Sequence, residues 1–390
     1  MLRKANKKLR PIEGAKMQPN NNLIKIAVIT RHSITNYGSL LQAYALQSVF
    51  EKANAKCEII NYIRYDERGT NIANTLLKKS PKWNKNQLTR FVYKTIQAPE
   101  YVFSQHRFEK ERNKYLNQSN ALFGNSTELK QNCPKADIYC TGSDQVWGEI
   151  GAEPFDENYF LSFAPEGAKR VAYAASFGKT EFNPQISEAI KNFLNKYDLI
   201  SVREKSAVEI LQKENINAVQ VLDPTLLLTG DEWSKLIKSN KTGNYVLLYQ
   251  LHSNDEMDRY AKKFAKKAGM KLIRLTPLLH RTVKGGTPVY LPTVATFLSY
   301  VKNANYMITD SFHGTAFAIN FNTEFIEILP SKTRTRNQNI LELTDLKNRI
   351  LKNYNDFHFI NEKTNFETAN KLLQAERKKS FDFINKIINI

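Results

Sequence analysis

The chain has 390 residues, long enough for roughly two domains that each bury a core, which excludes a single small binding module. Hydrophobic residues at 42%, charged residues at 24% and aromatics at 11% describe a folded protein and exclude disordered and fibrous classes. The formal net charge of +19 favours anionic partners of any kind (nucleic acid, an acidic membrane surface, phosphorylated substrates) without choosing among them.

Residues 1–22 hold six Lys/Arg against one Glu, a net of +5, and show no periodicity, so a disordered basic arm is expected there. The polar stretch 10–22 lacks the apolar core of a signal peptide, and no apolar run approaches the about 18 residues of a membrane span. Cys57, Cys133 and Cys140 are odd in number and form no CxxC pair, which argues against a disulfide framework or a zinc ribbon and for a reducing compartment. The expected location is the cytoplasm.

Ordered structure is expected from "LIKIAVIT" (23–30), a β-branched apolar run of strand length. "RHSITNYG" forms a loop, and "SLLQAYALQSVFEK" places Leu41, Tyr44, Ala45 and Val49 at helical spacing. A strand over 56–62, "KCEIINY", completes a βαβ unit of a parallel sheet. The basic stretch 78–114 reads as a solvated face or an electrostatic dock for anionic lipid. Further strands are expected at "ADIYCTG", "RVAYAASFG" and "YDLISVRE", the last running into a helix near Glu204. "VQVLDPTLLL" (219–228) contains an Asp-Pro step that disfavours helix at Asp223 and reads as a linker.

Beyond it the alternation restarts: strand "NYVLLYQL", helix 255–268, strand "MKLIRLTP", helix 293–302, strand "NYMIT", a helix opened by Gly314, and strand "TEFIEILP". The expected fold is α/β, with a Rossmann-like domain over 23–225 and another over 226–365. Residues 366–390 read as a basic amphipathic helix that packs on a domain or lies on a membrane surface.

Ligands of open parallel sheets bind beyond the carboxyl ends of the strands, so the strand-to-helix turns are the candidate site. In "TDSFHGTAF", His313 offers an imidazole for acid or base work, and Ser311, Gly314, Thr315 and Ala316 open a helix whose free amides suit an anion. "TNYGS" offers Asn36, Tyr37 and Gly38 in a similar turn without the GxGxxG of a dinucleotide site. "TGSDQVW" ends a strand at Asp144, which would orient a sugar hydroxyl, accept a proton or cap a helix. "SVREKS" puts the Arg203 fork at a strand end, fit for a carboxylate or a surface ion pair. "KTRTRNQN" offers Lys332, Arg334 and Arg336 to a phosphate.

No HExxH, P-loop or GxSxG motif occurs, and the other histidines are too scattered for a metal site; no metal is expected. Nor is there a basic reading helix, an RNP-like aromatic pair or a zinc finger, so nucleic acid is not an expected partner.

Together and in order, "NYGSLLQAYAL", "TGSDQVW", "YAASFG", "ISVREKSAVEIL", "VLDPTLLL" and "TDSFHGTAF" resemble the polysaccharide pyruvyl transferase family, from about residue 25 to residue 321. The resemblance implies a GT-B-like glycosyltransferase architecture, two Rossmann-like domains facing across a cleft with the acceptor on the N-terminal side. It implies transfer of the pyruvyl group of phosphoenolpyruvate onto two hydroxyls of a galactose- or mannose-type sugar. The product is a cyclic ketal in capsule, exopolysaccharide or cell-wall glycan synthesis.

Phosphoenolpyruvate is then a co-substrate and no cofactor is expected. The implied acceptor is a lipid-linked oligosaccharide at the inner membrane face, where a +19 protein would dock peripherally. His313 is expected to be the general acid, the Gly314–Ala316 amides and Arg336 to hold phosphate, and Arg203 to hold carboxylate. Asp144 is the candidate base. The rival readings are a sugar-nucleotide glycosyltransferase on the same architecture and a non-catalytic module for anionic glycan or nucleic acid.

Overall fold

A computed structural model describes residues 23–78, 80–81, 83–150, 153–178, 184–238, 243–331 and 334–390; the basic arm at 1–22 lies outside them. The strands β1 (Lys25–Ile29), β2 (Lys56–Ile59), β3 (Ile138–Thr141), β4 (Lys169–Ala175), β5 (Leu199–Val202) and β6 (Val219–Gln220) form one sheet in the order β2-β1-β3-β4-β5-β6. The strands β7 (Tyr245–Tyr249), β8 (Lys271–Thr276), β9 (Thr287–Tyr290), β10 (Tyr306–Thr309) and β11 (Phe325–Glu327) form the other, in the order β11-β10-β7-β8-β9. Every pairing within both sheets is parallel. Unbroken apolar runs such as YVLLY in β7, buried at every position, are what a parallel strand covered on both faces requires.

Each sheet is doubly wound, and the chain reverses direction across it once. In the first the reversal lies between β1 and β3, and in the second between β7 and β10. Adjacent loops leave in opposite directions there, which opens a crevice. The loops after three of those strands carry Asn36, Asp144 and His252, and the helix after β10 carries His313 in its first turn.

The domains are joined by apolar packing. One buried cluster includes Leu40, Leu41 and Val49 from the first helix, Trp233 between the sheets, and Phe297 and Phe317 from the second domain. Tyr37 is its hinge pin. Its ring stacks on Phe297 at 4.7 Å and tilts against Phe108 at 4.8 Å, and its hydroxyl donates to the Pro292 carbonyl at 2.6 Å. The Gln87–Tyr115 helix adds a second bridge, since Glu111 Oε2 accepts from the Val294 amide at 2.8 Å.

The helix Phe366–Ile388 closes the molecule. It buries Leu373, Phe383, Ile384 and Ile387 and locks onto the segment between the sheets. Ser380 Oγ accepts from the Leu222 amide at 3.0 Å, and Arg377 Nε donates to the Leu226 carbonyl at 2.6 Å. Phe381 on the same helix is 37% exposed.

Other departures have simple causes. The second strand stops at Ile59 instead of running to residue 62, because Ile60 and Tyr62 turn into a loop held by Val28 and Phe123. Strand β9 contains Pro288, which hid it in the sequence; it is an edge strand, where a missing N–H removes no ladder bond.

Tyr37→Phe keeps the stacking but strands the Pro292 carbonyl. Urea denaturation should show a loss of about 1 kcal/mol; an unchanged midpoint would mean that this bond does not hold the domains.

Candidate active site

The centre of the site is Asp223, in the segment read from sequence as a linker. The Asp-Pro pair starts a helical turn, Pro224–Leu227, with proline in its first turn and Asp223 as the cap. Asp223 Oδ1 accepts from the amide and hydroxyl of Thr225 at 2.9 and 2.6 Å. Oδ2 is left to face the strand ends. It accepts from Arg203 Nη1 at 2.9 Å and Ser143 Oγ at 2.9 Å, and His313 Nε2 lies 3.8 Å away. Burial alone would raise this carboxyl, but His313 and Arg203 outweigh it and hold it well below the usual carboxylate range.

Arg203 follows β5 and is 3% exposed. Its planar group lies over the Phe312 ring at 4.6 Å. Nη1 is committed to Asp223, whereas Nε and Nη2, the side-on fork of the guanidinium, have no hydrogen-bond partner among the described residues. Glu204 Oε2 at 3.7 Å and Asp144 Oδ1 at 4.0 Å hold this charge without bonding to it. Glu204 accepts instead from Ser176 Oγ at 2.7 Å.

Asp144 lies just past β3 with φ +80°, a left-handed backbone that costs energy in any residue but glycine and tends to be kept at functional positions. Its carbonyl accepts from the amides of Val146 and Ser176 at 2.8 and 3.1 Å, which fixes the conformation. Ser39 Oγ donates to Oδ2 at 2.6 Å and the Gln145 amide to Oδ1 at 2.8 Å. Burial works against its charge, but His313 and Arg203 bring the carboxyl below its ordinary value.

His313 sits in the first turn of the helix Phe312–Phe321, capped by Ser311, and its ring crosses to the first domain. There it lies against Gly38, where an added Cβ would stand 2.1 Å from Nδ1 and 2.2 Å from Cγ. Gly38 is therefore required by His313: any side chain would expel the imidazole. His313 is 5% exposed but polar in surroundings, and Nε2 has no bonded partner among the described residues.

Arg336 completes the group from the helix Arg334–Leu343. Its Nε has no hydrogen-bond partner among the described residues. Burial, then the neighbouring charge of Arg203, push its guanidinium down to about 10. Arg203, Glu204, Asp223, Phe312, Arg336 and Asn339 line a cavity of about 10 Å³, room for about one water.

The structure thus brings Arg203, Asp144, His313, Arg336 and Gly38 together. Other expected residues stand differently. Asn36 caps the first helix, accepting from the Gly38 amide at 2.8 Å, and Tyr37 is spent on domain packing. The expectation of free amides at Gly314, Thr315 and Ala316 is corrected. The Gly314 amide donates to Ser311 Oγ at 3.2 Å and that of Thr315 to the Ser311 carbonyl at 2.9 Å, while Ala316 lies a further residue into the helix. A helix leaves only its first amides outside its own ladder, here those of Phe312 and His313, for which no acceptor occurs among the described residues. Gly314 serves packing, since a Cβ would meet Thr309 Oγ1 at 2.5 Å. The Thr315 hydroxyl bonds to the buried carboxyl of Glu327, which burial pushes up to about 8, and whose other oxygen accepts from Asn337 at 2.6 Å. Glu327 so ties the helix of His313 to that of Arg336. Arg334 is exposed, and Lys332 lies outside the described residues.

Sequence reasoning missed Asp223, Ser39, Ser143 and Glu204. Only Asp223 left a signal, the Asp-Pro of a helix cap following a strand.

Two doubly wound parallel domains meeting across a charged crevice are the GT-B arrangement. The sequence profile of the polysaccharide pyruvyl transferase family matches residues 36–331, and the chain belongs to that family. Among solved structures the chain is similar to UDP-N-acetylglucosamine 2-epimerase from Rickettsia bellii, at 14% identity over 94% of this chain and 99% of that one, TM-score 0.42. It is also similar to S. aureus MnaA with UDP, at 12% identity, 92% and 90% coverage and TM-score 0.49. For Arabidopsis thaliana UGT89C1 the values are 10%, 95% and 100%, and 0.48. No curated protein matches the sequence.

Asp223→Asn should cost about 3–5 kcal/mol at pH 7, because it leaves buried Arg203 without its bonded carboxylate. A depressed carboxyl stabilises the fold above its unfolded pKa and loses that contribution as pH falls through the folded one. The gap between wild type and variant should accordingly be flat near neutrality and narrow below about pH 4, measured by urea denaturation across pH. A gap independent of pH would refute the pairing.

Proposed function

We propose that the protein transfers the pyruvyl group of phosphoenolpyruvate to two hydroxyls of a glycan sugar, forming a cyclic ketal and releasing phosphate. The observation that carries this reading is the convergence of buried nitrogen atoms without a hydrogen-bond partner among the described residues: Arg203 Nε and Nη2, Arg336 Nε and His313 Nε2. Buried donors without acceptors are costly, and a small anion carrying both carboxylate and phosphate satisfies them.

In this reading the Arg203 fork grips the carboxylate in two parallel bonds. Arg336 and the Phe312 and His313 amides face the phosphate, aided by the helix dipole. His313, held in place by Gly38 and Asp223, delivers a proton to the methylene carbon. The adjacent carbon then becomes an oxocarbenium-like centre open to a sugar hydroxyl, which Asp144 and Ser39 orient from the first domain. The donor already contains its activated carbon, so the chemistry requires no metal or redox group. The cavity is smaller than phosphoenolpyruvate, so its walls part on loading.

The acceptor in this reading is lipid-linked, and the Gln87–Tyr115 helix suits an anionic bilayer. No helix of the described residues is long and apolar enough to cross a membrane, but this one exposes Leu88, Phe91, Ile96, Val102 and Phe103. The adjoining sequence 78–99 holds six Lys/Arg and no Asp or Glu. Apolar side chains flanked by cations fit the headgroup boundary of acidic lipid.

Purified protein incubated with phosphoenolpyruvate and a panel of galactosides and mannosides should release phosphate and add one pyruvyl mass to a sugar. Release of nucleotide from a sugar nucleotide instead would establish the glycosyltransferase alternative. Arg203→Lys should lower kcat/KM about 10- to 100-fold, since a point charge cannot replace the fork.

Sedimentation with vesicles containing phosphatidylglycerol should retain the protein at low salt. Phe91→Ser/Phe103→Ser should release it; binding that ignores both lipid charge and these residues would dismiss the docking helix.

A further inference from the structure

The second domain carries another histidine that the reading above leaves unused. His252 lies in the loop after β7, and Asp310 directly follows β10. These strands are the neighbours between which the second sheet reverses, paired Thr309 to Tyr249 at their carboxyl ends. His252 Nδ1 lies 3.0 Å from Asp310 Oδ2, so the pair spans the crevice where such sheets take ligands.

Its geometry is that of an oriented base. The Asp310 side chain is 4% exposed and that of His252 is 54% exposed. Asp310 is held independently of the imidazole, accepting from the Leu251 amide at 2.6 Å and the His252 amide at 2.9 Å. Arg281 fixes the same loop by donating to the carbonyls of Gln250 and Leu251 at 2.5 and 2.9 Å. The loop therefore does not need the ring for its shape. Bonding of Nδ1–H to the carboxylate leaves the Nε2 lone pair facing the open side.

Resting on the pyruvyl transfer reading, we infer that His252 is the general base that takes the proton of the attacking sugar hydroxyl, with Asp310 as its positioning residue. His313 leaves the same sheet four residues after Thr309, as His252 does three residues after Tyr249. Acid and base thus flank one crevice. Asp144 is the poorer acceptor, its carboxylate already occupied by Ser39 and the Gln145 amide.

The steps balance. His313 gives a proton to the methylene carbon, a C–H bond forms, and the first sugar oxygen bonds to the adjacent carbon as its proton passes to His252. The carbon–oxygen bond to phosphate then breaks, phosphate leaving with the electron pair. The second hydroxyl closes the ketal and loses its proton to the same imidazole after relay of the first to solvent. Of the two hydroxyl protons, the methyl group gains the equivalent of one and the released phosphate that of the other.

The test uses full-length wild type and His252→Gln, with phosphate release from phosphoenolpyruvate and the sugar panel as one readout and calorimetric phosphoenolpyruvate binding as the other. The variant should lose about 10²-fold or more in kcat, with phosphoenolpyruvate affinity unchanged within about twofold. The more severe His252→Ala should recover rate on addition of imidazole. A variant that turns over at the wild-type rate overturns the base role alone. Loss of phosphoenolpyruvate affinity along with rate also overturns it, by making His252 a donor ligand. Wild type that neither binds nor consumes phosphoenolpyruvate overturns the pyruvyl transfer reading and this inference together.

Discussion

A single carboxylate organises the boundary between the two domains. Asp223 gives one oxygen to a helical turn and the other to a serine, a guanidinium and an imidazole that come from three distant stretches of chain. The charges it gathers are buried, and buried charges persist only where partners offset the loss of water. Removing Asp223 would not simply delete a contact. It would leave Arg203 and His313 facing each other with less to hold them at close range.

The architecture gives this carboxylate its neighbours. Both sheets reverse direction once, and the loops at the two reversals supply Asp144 and Ser143 on one side and Asp310 and His313 on the other. Apolar packing through Tyr37, Phe297 and Trp233 brings the two sets of loops together. Gly38 is a point of close approach, and its missing side chain is the space His313 occupies. Conformational cost concentrates here as well, in the left-handed Asp144 and the left-handed Ala174 beside the register shift in β4.

Most of the fold was legible because buried parallel strands announce themselves as continuous apolar runs, and both alternating series were readable. Strand β9 was hidden by Pro288, whose penalty disappears at an edge. Within the site, Arg203, Asp144 and His313 could be found because each ends a strand in a motif with turn residues. Asp223 showed only as the Asp-Pro of a helix cap, because its role depends on partners 20, 80 and 90 positions away, and no local pattern encodes such distances. The amides of Gly314 and Thr315 were misjudged for a different reason: Ser311 is both the helix cap and their acceptor, so the free donors lie one step earlier.

The closing helix sets an order of events during synthesis. The Leu222 amide finds its acceptor in Ser380, 158 residues later, and Arg377 reaches back to Leu226 and Asn320. Each Rossmann-like unit can collapse as it leaves the ribosome, since domains generally fold as units. The segment carrying Asp223, already tied to Ser143 and Arg203, gains its remaining bonds only when residues 377–380 emerge. A nascent chain stalled short of that point would hold both sheets without the clamp behind the crevice.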